Sequence, residues 1–489
     1  MFAEIHIERG RIRAVLPCTI GTIVRTETDS YEFPGCHVSP GFVDSHAHVV
    51  GLGERLSAVS LHDAPSLEDC LSRIASSITD GTSWVRAMGW NQERWSSNQW
   101  PSRDDLDRCS SVIPIVAMRV DGHAMWVNTA ALRAAGIDPT SHTGLLIDDA
   151  MRPVWAALPA FSREEVREQI LRATNEWLQH GVTEIHDMDV APEWLEPFRE
   201  LAESGHLPVR IQSFVRGQDR EWIEAGLLPA GGELHRIAGV KLFADGALGS
   251  RGAYLRSPYS DDATTHGIEL LSVDVLTSRM REIVDAGWPC IAVHAIGDAA
   301  VRNVLDAYDV VRGLPDGRDA ILRIEHAQHV HPDDVERFAR LGVIACVQST
   351  HCCSDAAMAE KRLGADRLPW SYRWKTLLDA GITMTGGSDA PIESSSVHDG
   401  LRAFVHRTPY GMQSSWMPAE RITSQQAVDA YTSIAHHAAG MEYRRGALRV
   451  GFDADLVVTS HDVCEYSDRI GDDIRIQATF TAGRLRYSA

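Results

Sequence analysis

From about residue 40 to about residue 390, short β-branched and apolar runs alternate with longer amphipathic stretches, and this alternation restricts the fold more than any other feature. Strands separated each time by a helix-length segment pair in parallel, because a crossover of that size brings the chain back to the same edge. We read eight such strands, at Gly41–His48, Val182–Asp187, Val209–Phe214, Ala238–Ala244, Cys290–Ala295, Ile321–His326, Val343–Gln348 and Ile382–Gly387. Helical patterns lie between them, among them Ser162–His180, Asp298–Arg312 and Tyr372–Ala380, with Ser162 and Asp298 as N-caps and Gly181 and Gly381 as stops. Eight parallel strands close naturally into a (β/α)8 TIM barrel, an α/β fold whose chemistry collects at the C-terminal ends of its strands.

Two regions fall outside that pattern. The first forty residues alternate apolar and polar positions (Ile5, Ile7, then Arg11-Ile12-Arg13-Ala14-Val15), as do Ala447–Val450, Asp455–Val458 and Gln477–Phe480 near the other end. Both read as short antiparallel strands. The stretch from about Gly53 to Met151 is too long for one crossover and holds strand-like runs of its own, Trp84–Met88 and Ile113–Arg119. It is expected to be an inserted subdomain after the first barrel strand, over the barrel mouth.

At 489 residues the chain can bury a large core, and 44% hydrophobic with 23% charged residues are ordinary globular values. A net charge of −20, from 67 acidic against 47 basic residues, argues against nucleic acid as a partner. No apolar run reaches membrane-spanning length, and Met1-Phe2-Ala3-Glu4-Ile5-His6 lacks a basic-then-apolar export pattern, so no membrane partner and a cytoplasmic location are expected. The nine cysteines form no C-x-x-C pair and read as small hydrophobes in a reducing compartment.

The 22 histidines are more informative, because several end apolar runs. In Pro40-Gly41-Phe42-Val43-Asp44-Ser45-His46-Ala47-His48, residues two apart share a strand face, so Phe42, Asp44, His46 and His48 point one way. That face turns from apolar to ionisable toward the strand's end, where two imidazoles can grip one cation. An isolated H-x-H is more often a solvated surface pair. His294, His326 and Asp389, however, also stand at the C-terminal ends of expected barrel strands. Four histidines and an aspartate on one rim make a nitrogen and carboxylate donor set suited to zinc, with iron, manganese and nickel open. Lys241, inside the fourth strand, reads from its surroundings alone as an ion-pair partner of Asp245 or another carboxylate.

Taken together these segments resemble the amidohydrolase superfamily, and its YtcJ-like branch in particular, with similarity to N-substituted formamide deformylases. The matching segments are P-G-F-V-D-S-H-A-H (40–48), V-K-L-F-A-D-G-A-L-G-S-R-G-A (240–253), V-H-A-I-G-D-A-A-V (293–301), R-I-E-H-A-Q (323–328) and G-G-S-D-A-P (386–391). G-W-N-Q-E-R-W (89–95), D-G-H-A-M-W-V-N (121–128) and G-F-D-A-D-L-V-V (451–458) add to them. The resemblance implies a barrel over residues 40–443 and a small β-sandwich from residues 1–39 and 444–489, with the insert at about 53–151. It also implies two divalent metal ions, zinc first among them. His46, His48 and Asp389 would hold one, His294 and His326 the other, and a carboxylated Lys241 would bridge them. Carboxylation turns a repelling ammonium into an anionic ligand. Two departures stand out: the chain starts abruptly, so a reduced sandwich is expected, and Asn91 occupies a position where relatives have Asp.

The implied activity is hydrolysis of a C–N bond in a small molecule, an amide or N-substituted formamide, by metal-activated water. Asp389 would be the catalytic base and then the acid. Trp90, His123, Trp126 and Arg251 lie in the family motifs as substrate contacts, although packing explains the tryptophans equally well. A homo-oligomer, a dimer, is expected by analogy. The competing readings are a lactone or ester hydrolase, a mononuclear deaminase of the same superfamily, and a small-molecule-binding pseudoenzyme. Deaminases carry glutamate three residues after the strand-five histidine, where this chain has Gly297.

Overall fold

The computed structural model describes residues 1–96, 99–120, 122, 124–465 and 474–489. The chain divides into two compact units, residues 1–49 with 174–489, and residues 50–173. The second reaches beyond the expected 53–151 because helical segments on either side belong to it.

Eight parallel strands form one sheet in the first unit: β1 (Phe42–Ala47), β2 (Val182–Val190), β3 (Arg210–Arg216), β4 (His235–Phe243), β5 (Cys290–Ala295), β6 (Ile321–His326), β7 (Ile344–Gln348) and β8 (Met384–Gly387). Their order in the sheet is their order in the chain. The expected boundaries hold for β5 and β6 and move by up to three residues elsewhere. Helix Asp298–Arg312 also begins where expected, but its N-cap is Gly297, with Asp298 already in the first turn. Gly181 and Gly381 both take φ +78°, the left-handed conformation that ends a helix without strain in a residue lacking Cβ.

β8 meets β1 to close the barrel. The Asp389 backbone N–H donates to the His46 carbonyl at 2.7 Å, and His48 N–H donates to the Ala390 carbonyl at 2.8 Å. The Ser45 hydroxyl donates to the Gly386 carbonyl at 2.8 Å. Gly387 permits this approach: a Cβ there would stand 2.6 Å from the His46 nitrogen.

Two four-stranded sheets carry the terminal segments. One has the order Arg11–Pro17, Ala3–Glu8, Gly21–Arg25, Ser30–Pro34, and the other Arg484–Ser488, Ile476–Thr481, Leu456–Thr459, His37–Pro40. They share a core of Ile5, Ile7, Ile12, Val24, Leu456, Val458 and Phe480. Ala3–Glu8 pairs on both sides, antiparallel with Arg11–Pro17 and parallel with Gly21–Arg25. Ala447–Val450 is not a strand. Gly446 and Gly451 flank it with φ of +85° and +90°, and Arg449 N–H closes a turn on the Ala447 carbonyl.

The 50–173 unit is built on a five-stranded sheet in the order Leu145–Ile147, Ala124–Val127, Ile115–Arg119, Val85–Trp90, Val59–Ser60. Trp90 and Trp126, expected as substrate contacts, are fully buried in its core with Leu61, Ile74, Leu106 and Ile115. Their indole N–H groups are satisfied by backbone carbonyls, Trp90 by Ala117 at 2.8 Å and Trp126 by Ser102 at 2.6 Å. They are packing groups here, as burial of large aromatics favours. Asn91 caps the turn that follows, its side chain accepting from Glu93 N–H at 3.1 Å.

Phe480 packs edge-on to Tyr31 in the sandwich core, with ring centroids 5.5 Å apart. Phe480→Ala is expected to destabilise the protein by about 3–5 kcal/mol through lost burial and a residual cavity. The shift of the denaturant midpoint against wild type measures it.

Candidate metal centre

The C-terminal rim of the barrel gathers the residues singled out by their position at strand ends. His46, His48 and Asp389 bring one donor atom each within 4.8 Å of one another, and His326, His351 and Asp389 form a second such group. Asp389 is the shared member. Its Oδ1 lies 3.1 Å from His48 Nε2 and 3.5 Å from His46 Nε2, and its Oδ2 lies 3.6 Å from His351 Nε2. Both Asp389 (φ +59°) and His326 (φ +74°) sit in left-handed backbone, a strained state for residues with a Cβ that is concentrated at functional sites.

Three of the rings are held from behind. His46 Nδ1–H donates to Glu325 Oε2 at 2.6 Å, His48 Nδ1–H to the Met188 carbonyl at 3.0 Å, and His326 Nδ1–H to Gln348 Oε1 at 2.6 Å. An acceptor on Nδ1 fixes the tautomer and turns the Nε2 lone pair toward the site, the arrangement that metal-ligating histidines require. Glu325 is in turn anchored by Arg323 Nε at 2.8 Å. Asp44, on the same strand face as His46, does not enter the site. It accepts from Ser388 N–H at 2.9 Å and Trp177 Nε1–H at 2.9 Å, and so fixes the loop that presents Asp389.

Electrostatics favour the ligating forms. Burial pulls the His46 ring down to about 4 and the His294 ring down to about 3, with the charge of Lys241 adding to both. Burial likewise holds His326 well below the usual imidazole range. These rings are neutral at neutral pH. His48 differs: burial lowers it, but the hydrogen bond to Asp389 and that carboxylate's charge outweigh burial and raise it. With Nδ1–H already given to Met188, a hydrogen bond from Nε2 to Asp389 needs a doubly protonated ring. A cation between Nε2 and Oδ1 would take the place of that proton.

Lys241 is fully buried. Among the described residues its Nζ has no hydrogen-bond partner, and it lies 5.0 Å from the centre of the Phe243 ring. The ion pair with Asp245 considered from the sequence does not form. Asp245 instead accepts the backbone N–H groups of Tyr254, Ile296 and Gly297 at 2.7–3.0 Å. Burial lowers the Lys241 pKa, easing the proton loss that carboxylation requires. His294 packs edge-on to His326, with ring centroids 4.4 Å apart, but its Nε2 lies 3.4 Å from Asp245 Oδ1 and it joins neither donor group. An unpartnered buried amine, outward-facing Nε2 atoms and an ionised aspartate among them fit a divalent metal centre.

Of the expected substrate contacts, Arg251 is tied to Asp261 by hydrogen bonds of 3.0 and 3.2 Å in the loop after β4. His123 lies outside the described residues. His351 was missed in the sequence because it stands three residues beyond β7, in the first turn of helix Ser349–Leu363, where no strand end marks it. Its signal was the run Gln348-Ser349-Thr350-His351 directly after an apolar strand.

A parallel barrel with this donor set on its C-terminal rim has the architecture of a metal-dependent hydrolase. The chain belongs to the amidohydrolase family, whose model matches residues 34–487. It is 32% identical to the amidohydrolase-family protein YtcJ of Bacillus subtilis, over 94% of this chain and 91% of that one. It is 24% identical to the N-substituted formamide deformylase of Arthrobacter pascens, over 94% and 90% of the two chains. The crystal structure of an uncharacterised metal-dependent hydrolase from Pyrococcus horikoshii superposes with a TM-score of 0.80 at 26% identity, covering 94% of this chain and 93% of that one.

Glu325→Gln removes the negative acceptor behind His46 while keeping its shape. Metal affinity should fall about 10–100-fold, as measured by competition with a chromogenic chelator. Unchanged affinity would show that Glu325 does not orient His46.

Proposed function

We propose that this metal-dependent amidohydrolase cleaves the C–N bond of a small amide or N-substituted formamide, using two divalent ions, zinc first among them. The observation that carries the reading is the buried amine of Lys241, without a hydrogen-bond partner among the described residues and lining one cavity with the histidine and aspartate donors. As a carboxylated lysine it would bridge the two ions, with His46, His48 and Asp389 toward one and His294 and His326 toward the other. Bound ions lower the pKa of water toward neutrality and polarise a carbonyl oxygen.

The chain's own groups do the rest. Asp389 takes a proton from the attacking water and returns it to the departing nitrogen as the C–N bond breaks, leaving a carboxylic acid and an amine. His48, held 3.1 Å from the same carboxylate, orients it. The N-substituted formamide deformylase relationship supports C–N over C–O cleavage. Against deamination stands the wall around Gly297. A Cβ at this position would lie 2.0 Å from the Tyr254 carbonyl oxygen, so no glutamate can occupy it.

Asp389→Asn is expected to abolish turnover of N-formyl, N-acyl and cyclic amides in a substrate panel while the protein stays folded. Elemental analysis of the wild type should give about two metals per chain, falling on Lys241→Ala. Full activity in the Asn variant would remove the proton-transfer role. One metal per chain with Lys241 unmodified by mass spectrometry would remove the bridged pair, and turnover of lactones alone would overturn the choice of bond.

A further inference from the structure

The cavity over the donor groups has a volume of about 330 Å³, and its walls describe the substrate. One part is apolar, from Phe243, Leu248, Ile296 and Ile392. Another is acidic. Asp355 lies one helical turn after His351 on the same helix face, and Glu393 follows Asp389 in the loop after β8. Each carboxylate is held in place by one hydroxyl donor and keeps its charge: the Ser354 hydroxyl donates to Glu393 at 2.6 Å and the Tyr372 hydroxyl to Asp355 at 2.5 Å. Among the described residues, no arginine lines this cavity and its one lysine is Lys241.

A substrate carboxylate at this acidic wall, away from the metal ligands, would meet two negative groups and no guanidinium to pair with. An ammonium would meet two carboxylates in a wall whose basic groups, among the described residues, are imidazoles and Lys241 alone. We propose that the substrate is an acylated amine whose far end, across a short apolar linker, carries a positive charge seated between Asp355 and Glu393. Amides whose far end carries a carboxylate are disfavoured by the same pair. This inference rests on the amide-hydrolase reading for its acyl group, and on the cavity walls alone for its charge.

Three formamides of equal chain length test it: N-formylpentylamine, mono-N-formylcadaverine and the formylated ω-amino acid ending in carboxylate. The expected order of kcat/KM is ammonium over methyl over carboxylate, with at least about tenfold between the first and last. In Glu393→Gln the ammonium-to-methyl ratio should collapse toward one, a comparison in which any general loss of activity cancels. Equal or better turnover of the carboxylate-ended formamide, or an unchanged ratio in the variant, would overturn the inference. Calorimetric titration of mono-N-formylcadaverine and of the formylated ω-amino acid into the metal-loaded Asp389→Asn protein separates the two readings. Hydrolysis of none of the three by the wild type with selective binding of mono-N-formylcadaverine refutes amide cleavage and retains the charge preference. Equal binding of the two formamides refutes the preference.

Discussion

The hydrogen bond from Asp389 N–H to the His46 carbonyl, 2.7 Å long, joins the last barrel strand to the first. It therefore does two things at once, closing the cylinder and setting the distance between two donors that are 343 residues apart in the chain. The approach depends on Gly387, where any side chain would collide with the His46 nitrogen. It depends equally on Asp44, whose carboxylate holds Ser388 in place. The left-handed backbone of Asp389 is tolerated because both neighbours are pinned. Site and seam are one structure, and neither can relax without the other.

Below the rim, the interior of the barrel is charged. His46 leans on Glu325, Glu325 on Arg323, and Arg323 on His186 at 3.0 Å. Glu184 then takes Arg445 at 2.7 Å, and Arg445 takes Asp453 at 2.9 Å. All of these groups are buried. Such a chain is held by mutual compensation, since loss of one member leaves an unpaired charge in a poorly polarisable medium. It gives the rings at the rim a rigid support, which suits donors that must converge on an ion.

The parallel barrel was legible because each strand is a compact β-branched run with a helical stretch after it; β5 and β6 match their reading residue for residue. Ala447–Val450 misled because alternation is a local pattern, while the two glycines that turn the chain act through backbone conformation. His46, His48, His326 and Asp389 could be picked out by their position at strand ends, and the structure brings them together. Glu325 and Arg323 were hidden inside an apolar-looking strand, where their importance comes from what they touch across the barrel. Trp90 and Trp126 sat in recognisable motifs, but whether an aromatic faces a core or a ligand is decided by packing, which no local pattern encodes. His351 depended on a helix turning back over the rim.

The buried charges also impose an order of events on synthesis. Glu184 sits in β2 and Arg210 opens β3, yet their counter-ions Arg445, Asp453 and Asp455 are translated after every barrel strand. Until those residues leave the ribosome tunnel, the early strands carry uncompensated ions that oppose their burial. Burial of these charges at the foot of the barrel therefore depends on docking of the tail.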